Sequence, residues 1–326
     1  MLSRSSDSPA AEAAAAGRER MGVEIDAEVK AYFAKHSTEA APSEHFPLME
    51  VPGYNVEEKI ATAEVFYQAE KGYADDDAIQ LGKALAVMKP PTFKQLYLTK
   101  NSIGDKGAIG LAAGLKELES METIHLADNQ IGDEGMAALA DAIKHLGCCT
   151  LVFTRNTFGD AGAAALAKVL ADPDNFENLE WLYLNECNIS DAGAEAIAEA
   201  MLTGCKEIVR LGLQDNKIGD KGAAALAAAI NKGAIAQTGE FFYFQGNPLS
   251  EAGKKKIAYA CKGKIRIHLG WPPPMGALEP EDWGARMACR LDPRRPPRPP
   301  ARRPRATPAH DPLTRLLSRA HTCARR

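Results

Sequence analysis

The chain has 326 residues, of which 45% are hydrophobic and 25% charged, with a formal net charge of −4. That apolar share is enough for a core, and no run approaches the roughly 20 apolar residues needed to span a bilayer, which excludes a transmembrane helix. The net charge hides a division: residues 272–326 hold 12 Arg, no Lys and 5 acids, a balance of +7, so residues 1–271 carry −11.

In chain order, residues 1–20 are Ala-rich and include Asp7, Glu12 and Glu19, without the apolar run of a signal peptide. They are expected to be disordered, and the protein to be cytoplasmic. Seven cysteines, an odd set without C-x-x-C spacing, fit reduced thiols inside a cell. Residues 21–74 read as helical around 24–36 and 56–71 and are expected to form an N-terminal cap. Residues 75–270 then repeat one pattern, L-x-x-L-x-L-x-x-N/C-x-I-G-D-x-G. Its six units place Asn101, Asn129, Asn156, Cys187, Asn216 and Asn247 at spacings of 28, 27, 31, 29 and 31 residues. A unit that short cannot bury its own apolar face, so the units must stack into a solenoid.

The second unit shows how each is built. Ile124 and Leu126 point to one side of a strand, and Thr123, His125 and Ala127 to the other. Asn129 follows where the chain turns, and its amide is suited to bonding the backbone of adjacent coils, as are its counterparts in a structural ladder. Next come Gly132 and Asp133, matched by Gly104-Asp105, Gly159-Asp160, Ser190-Asp191, Gly219-Asp220 and Ser250-Glu251. The acid is expected to cap the helix that begins there. Apolar residues six and ten positions further on, such as Leu139 and Ile143, hold one helix face to the strands. The same phase at Asp75, Leu81 and Leu85 predicts a helix before the first complete unit. Ile265, Ile267 and Leu269 alternate with polar residues and predict a short closing strand. Strands stack about 4.8 Å apart and helices about 8–10 Å apart, so the stack must curve with its parallel sheet inside. The expected fold is an α/β horseshoe solenoid with helices on the convex side.

Twelve of the 20 prolines fall in residues 272–326, including the run from Pro293 to Pro300. Such composition cannot bury enough apolar area to offset chain entropy, so residues 271–326 are expected to be disordered. Binding to nucleic acid, acidic lipid or an SH3-type domain is conceivable only through this tail. A solvated extension, or translated non-coding sequence, explains it equally well.

The units resemble the leucine-rich repeats of the ribonuclease-inhibitor subfamily, and residues 126–135 are a close copy of that signature. The resemblance covers about residues 75–270. It implies a scaffold found also in the Ran GTPase-activating protein and in the sensor ends of NOD-like receptors, all of which grip another protein.

Strand phase lists the inner surface in two columns. One runs Gln95, Thr123, Thr150, Trp181, Arg210, Phe241, and the other Tyr97, His125, Val152, Tyr183, Gly212, Tyr243. Aromatic residues and Arg dominate interface energetics, so Trp181, Tyr183, Arg210, Phe241 and Tyr243 are the principal candidates for partner binding, with Tyr97 and His125 beside them. Some of the rings would otherwise pack beneath the C-terminal cap or cover the gap at Gly212. His125 lacks a neighbouring nucleophile and a substrate pocket, which makes it a surface histidine rather than a general base. The recurring acids hold cap positions and are not read as metal ligands. Gly219 to Gly222 lacks the order of a phosphate loop. No catalytic residue, metal, cofactor, small-molecule substrate or membrane contact is expected. The reading is a non-enzymatic scaffold that binds a protein partner on its concave face; the alternatives are a regulator of a small GTPase and a fragment of a receptor-type sensor.

Overall fold

The computed structural model describes residues 25–37, 41–42, 50–51, 55–119, 121–176, 178–205, 208–235 and 239–269. The expected disorder of residues 1–20 and 271–326, and part of the expected N-terminal cap, lie outside them. Among the described residues helix α1 (Ala27–His36) comes first, then a two-stranded antiparallel ladder of β1 (Ala41–Pro42) and β2 (Glu50–Val51), then α2 (Val56–Thr62). From there strands and helices alternate: β3 (Val65–Tyr67), α3 (Asp75–Met88), β4 (Gln95–Tyr97), α4 (Asp105–Leu115), β5 (Thr123–His125), α5 (Asp133–Ile143), β6 (Thr150–Val152) and α6 (Asp160–Leu170). The array continues through β7 (Trp181–Tyr183), α7 (Asp191–Thr203), β8 (Arg210–Gly212), α8 (Asp220–Asn231), β9 (Phe241–Tyr243), α9 (Glu251–Cys261) and β10 (Arg266–His268). Strands β3 to β10 form one parallel sheet in sequence order, each paired with the next in unbroken register. The fold is the α/β repeat solenoid.

The core lies between sheet and helices. Leu96, Ile124, Leu151, Leu182, Leu211 and Phe242 fill the middle of successive strands, and helix residues such as Leu139, Ile143, Leu226 and Ile230 meet them from the other side; all are fully buried. An apolar residue recurs at each layer from coil to coil, so each coil buries the apolar face of its neighbour. Cys148, Cys187, Cys205 and Cys261 are buried free thiols. Burial pushes each of them up to about 12, so they act as small apolar groups.

Two expectations change. Residues 56–71 are not one helix: α2 ends at Thr62, and Val65–Tyr67 is the first strand of the sheet, with Phe66 paired to Leu96. The coil places polar Gln68 where later coils place Leu98, Leu126, Phe153, Leu184, Leu213 and Phe244, which hides it from the leucine pattern. Its β-branched and aromatic residues favour the strand.

The acids after the turns do not cap their own helices. Gly104, Gly132, Gly159 and Gly219 are the N-cap residues, without a side-chain bond of their own. Each acid instead reaches the next helix: Asp75 Oδ1 accepts from Gly104 N at 2.7 Å and Gly107 N at 3.0 Å, and Asp105 Oδ1 from Gly132 N at 2.7 Å and Gly135 N at 2.8 Å. Asp133, Asp160 and Asp191 repeat the arrangement on the N-cap and third residues of the helices that follow them. Side-by-side packing puts a first-turn carboxylate within reach of the neighbour's unpaired N–H groups. This explains the second glycine of G-D-x-G, because a Cβ on Gly107 would stand 2.7 Å from Asp75 Oδ1.

The turn side chains form a second ladder. Asn216 Oδ1 accepts from the N–H groups of Cys187 and Ile189, while Nδ2 donates to the carbonyls of Leu184, Leu213 and Gln214. Asn101, Asn129, Asn156 and Asn247 bond likewise between coils. At Cys187 the thiol reaches only the carbonyls of Phe153 and Asn185, at 3.3 and 3.1 Å. The N-terminal helix α1 closes its end of the array through Tyr32 Oη to Tyr73 Oη at 2.9 Å and His36 Nε2 to Asp77 Oδ1 at 2.9 Å.

Candidate protein-binding face

Because side chains alternate along a strand, the first and third residues of β3 to β10 all project from the sheet face opposite the helices. The first column runs Val65, Gln95, Thr123, Thr150, Trp181, Arg210, Phe241, Arg266, and the second Tyr67, Tyr97, His125, Val152, Tyr183, Gly212, Tyr243, His268. Two candidates that sequence reasoning missed at each end belong here: Val65 and Tyr67 sat in the hidden coil, and Arg266 and His268 face inward because Ile265 and Ile267 do not.

The face is not evenly open. Tyr97, His125, Val152 and Tyr183 are buried, as are Thr123 and Thr150, whereas Trp181, Arg210, Phe241, Tyr243 and His268 are half-buried and Tyr67 and Arg266 exposed. His125 is therefore not a surface histidine. Its ring lies 5.6 Å from that of Tyr97, its Nδ1 is 2.6 Å from Thr99 Oγ1, and burial depresses its pKa to about 4. Tyr97 and Tyr183 are pushed up to about 12, again by burial first. Strands this close bring ring against ring, so part of the column packs on itself.

Tyr183 is likewise a packing residue. It joins Ala127 and Val152 in a small apolar cluster on this face, with Trp181 and Tyr243 against it. Its ring spans the gap at Gly212, where a Cβ would come within 2.5 Å of Tyr183 Cδ1, and lies 6.2 Å from the Tyr243 ring.

The C-terminal half of the face, β7 to β10, is half-open and holds most of the remaining rings in fixed relation. Phe241, Tyr243 and His268 form a triangle with centroids 5.8, 5.5 and 5.2 Å apart. Arg210 lies between Trp181 and Phe241, its guanidinium 4.4 Å from one centroid and 5.8 Å from the other, and is clipped by Glu240 at 2.6 Å. It is a cross-strand spacer more than a free cation. One rim of the face bears charges at recurring left-handed turn residues, where Glu70 pairs with Lys100, and Arg155 with both Asp128 and Glu186. Among the described residues no group of three or more His, Cys, Asp or Glu is placed to hold a metal ion, and no helix is long and apolar enough to cross a membrane.

The family described as Leucine Rich repeat matches residues 89–112, 117–140, 150–167, 177–198 and 207–227. The chain is 26% identical over 145 residues to ribonuclease inhibitor of Sus scrofa, a match that covers 43% of this chain and spans 31% of that relative. A crystal structure of a Bacteroides fragilis protein aligns with 67% of this chain and 69% of its own at 17% identity and a TM-score of 0.36. A chain from an octameric complex of Latrophilin 3, Unc5D and FLRT2 aligns with 64% of this chain and 85% of its own at 14% identity and a TM-score of 0.24. Neither superposition is close enough to bear on function. Leucine-rich repeats generally mediate protein–protein interaction. The repeats seen in the sequence, matched by the family and stacked in the fold, make this a leucine-rich-repeat protein similar to ribonuclease inhibitor.

Proposed function

We propose that this is a non-enzymatic, intracellular interaction scaffold that binds a protein partner on the C-terminal half of its concave face. The observation that carries the reading is the half-buried group of Trp181, Phe241, Tyr243 and His268, held by stacking and by the Arg210–Glu240 clip on the side of the sheet away from the core. Rings fixed before binding lose little freedom on association, which favours their use as anchors. Tyr183 supports them from beneath, and Tyr97 and His125 take a supporting rather than a contacting role. The pig relative named as an inhibitor of ribonuclease is consistent with a gripping function.

The test is affinity capture from a cell extract with the native chain and with a Trp181→Ala, Phe241→Ala variant, followed by identification of retained proteins. A specific partner lost with the variant supports the reading, and an unchanged set of partners contradicts it. A panel of small GTPases separates this from the regulator alternative, since the scaffold is expected to leave their GTP hydrolysis at background.

A further inference from the structure

A second unfilled surface lies at the C-terminal end of the array. There α9 and β10 bound an open hollow of about 490 Å³. Ala258, Cys261, Ile265 and Ile267 line it, Tyr259 overhangs it at 78% exposure, and Lys255 and Lys262 stand beside it. In every earlier coil the equivalent side of the helix is packed against the helix of the next coil. Here the described residues supply none.

We propose that this hollow is a binding site for an amphipathic helix of a partner protein, apolar on the inserted side and acidic along its flanks. The helical shape follows from the array, because Lys255, Ala258, Tyr259 and Lys262 lie at i, i+3, i+4 and i+7, the ridge against which a further helix packs. Apolar residues at matching spacing on the ligand would fill the hollow, the helix-in-groove mode. The acidic flank follows from charge. Lys255 on α9 and Lys262, which caps the helix's C-terminal end, are exposed, make no ion pair among the described residues, and stand about two helical turns apart in sequence. Lys256 adds to them on the same helix, whereas the cation of Lys254 is answered by Glu251 at 2.8 Å. Residues 1–271 are otherwise strongly acidic, so this end is where an acidic segment meets attraction instead of repulsion. The site shares no residue with the concave aromatic group and does not depend on that group's role.

The experiment uses the full chain and a labelled 18-residue helical peptide with leucines at i, i+3, i+4 and i+7 and glutamates flanking them, read by fluorescence anisotropy. Saturable binding is expected, weakened about tenfold or more by Lys255→Glu with Lys262→Glu. Both residues are exposed, so circular dichroism of the variant should match the parent. A peptide with lysines in place of the glutamates should prefer the variant over the parent. Four results would overturn the proposal: no saturable binding, equal binding by parent and variant, loss of binding on Trp181→Ala with Phe241→Ala, or self-association in sedimentation that the lysine substitutions abolish. The last would give the hollow to a second copy of the chain.

Discussion

Single residues decide how the coils hold together, and two of them make the array sensitive to acid. Burial alone would raise the pKa of Asp160, but bonds from the Ser190 hydroxyl, the Ser190 N–H and the Gly193 N–H outweigh it and leave the group below the usual carboxylate value. A depressed folded pKa gives stability that is complete above the ordinary value and lost as pH falls through the folded one. Asp160→Asn keeps an acceptor but removes the titration, so its unfolding free energy should fall less steeply below about pH 4 than the parent's. His125 works in the same direction at higher pH. Buried neutral, it favours protonation only once the chain unfolds, so it contributes stability that is present above about pH 6.5 and lost as pH falls toward 4. Urea melts at pH 7 and pH 5 should show a smaller acid loss for His125→Gln than for the parent; an equal loss would mean that the histidine is solvated.

At the scale of elements, the leucines set the fold and the turn side chains set its register. Leu184 is fully buried directly after β7, and Leu184→Ala should cost about 2–5 kcal/mol, read as a lower melting temperature. The Asn216 amide makes five bonds to buried backbone groups, whereas the Cys187 thiol makes two weak ones. Asn216→Ala should therefore destabilise by about 1–3 kcal/mol and Cys187→Ala by clearly less, and chemical unfolding of the two variants side by side checks the order. Strands β4 to β9 were legible because Leu, Asn and Gly-Asp recur at fixed offsets, and β10 because its apolar residues alternate. Strand β3 was not, since polar Gln68 stands where the later coils carry Leu or Phe. The direction of the aspartate bonds was hidden for another reason: sequence offset assigns a carboxylate to its own helix, and only the lateral distance between helices assigns it to the next. The inner columns could be read from the same alternation. Which of their members are buried could not, because that depends on how neighbouring rings lean, as Tyr183 does over Gly212.

At the scale of the whole molecule, the sheet offers a long inner face whose C-terminal half, β7 to β10, gathers most of its accessible, mutually packed rings among the described residues, with Tyr67 against Tyr97 at the other end. Composition predicts that residues 271–326 add little buried contact, so ending the chain after Gly270 should leave cooperative unfolding and its midpoint essentially unchanged; loss of cooperativity would show that the segment belongs to the fold. Partner binding by the inner face is measured by the dissociation constant of the captured partner for the parent and for Trp181→Ala with Phe241→Ala. Aromatic anchors cost about 2 kcal/mol or more on truncation, so affinity should fall about 30-fold or more. Losing the contacts of Trp181 with Arg210 and the Tyr183 cluster, and of Phe241 with Arg210, Tyr243 and His268, should cost about 1–3 kcal/mol of stability while leaving a cooperative melt. An unchanged dissociation constant in a variant that still melts cooperatively would place the partner elsewhere on the molecule.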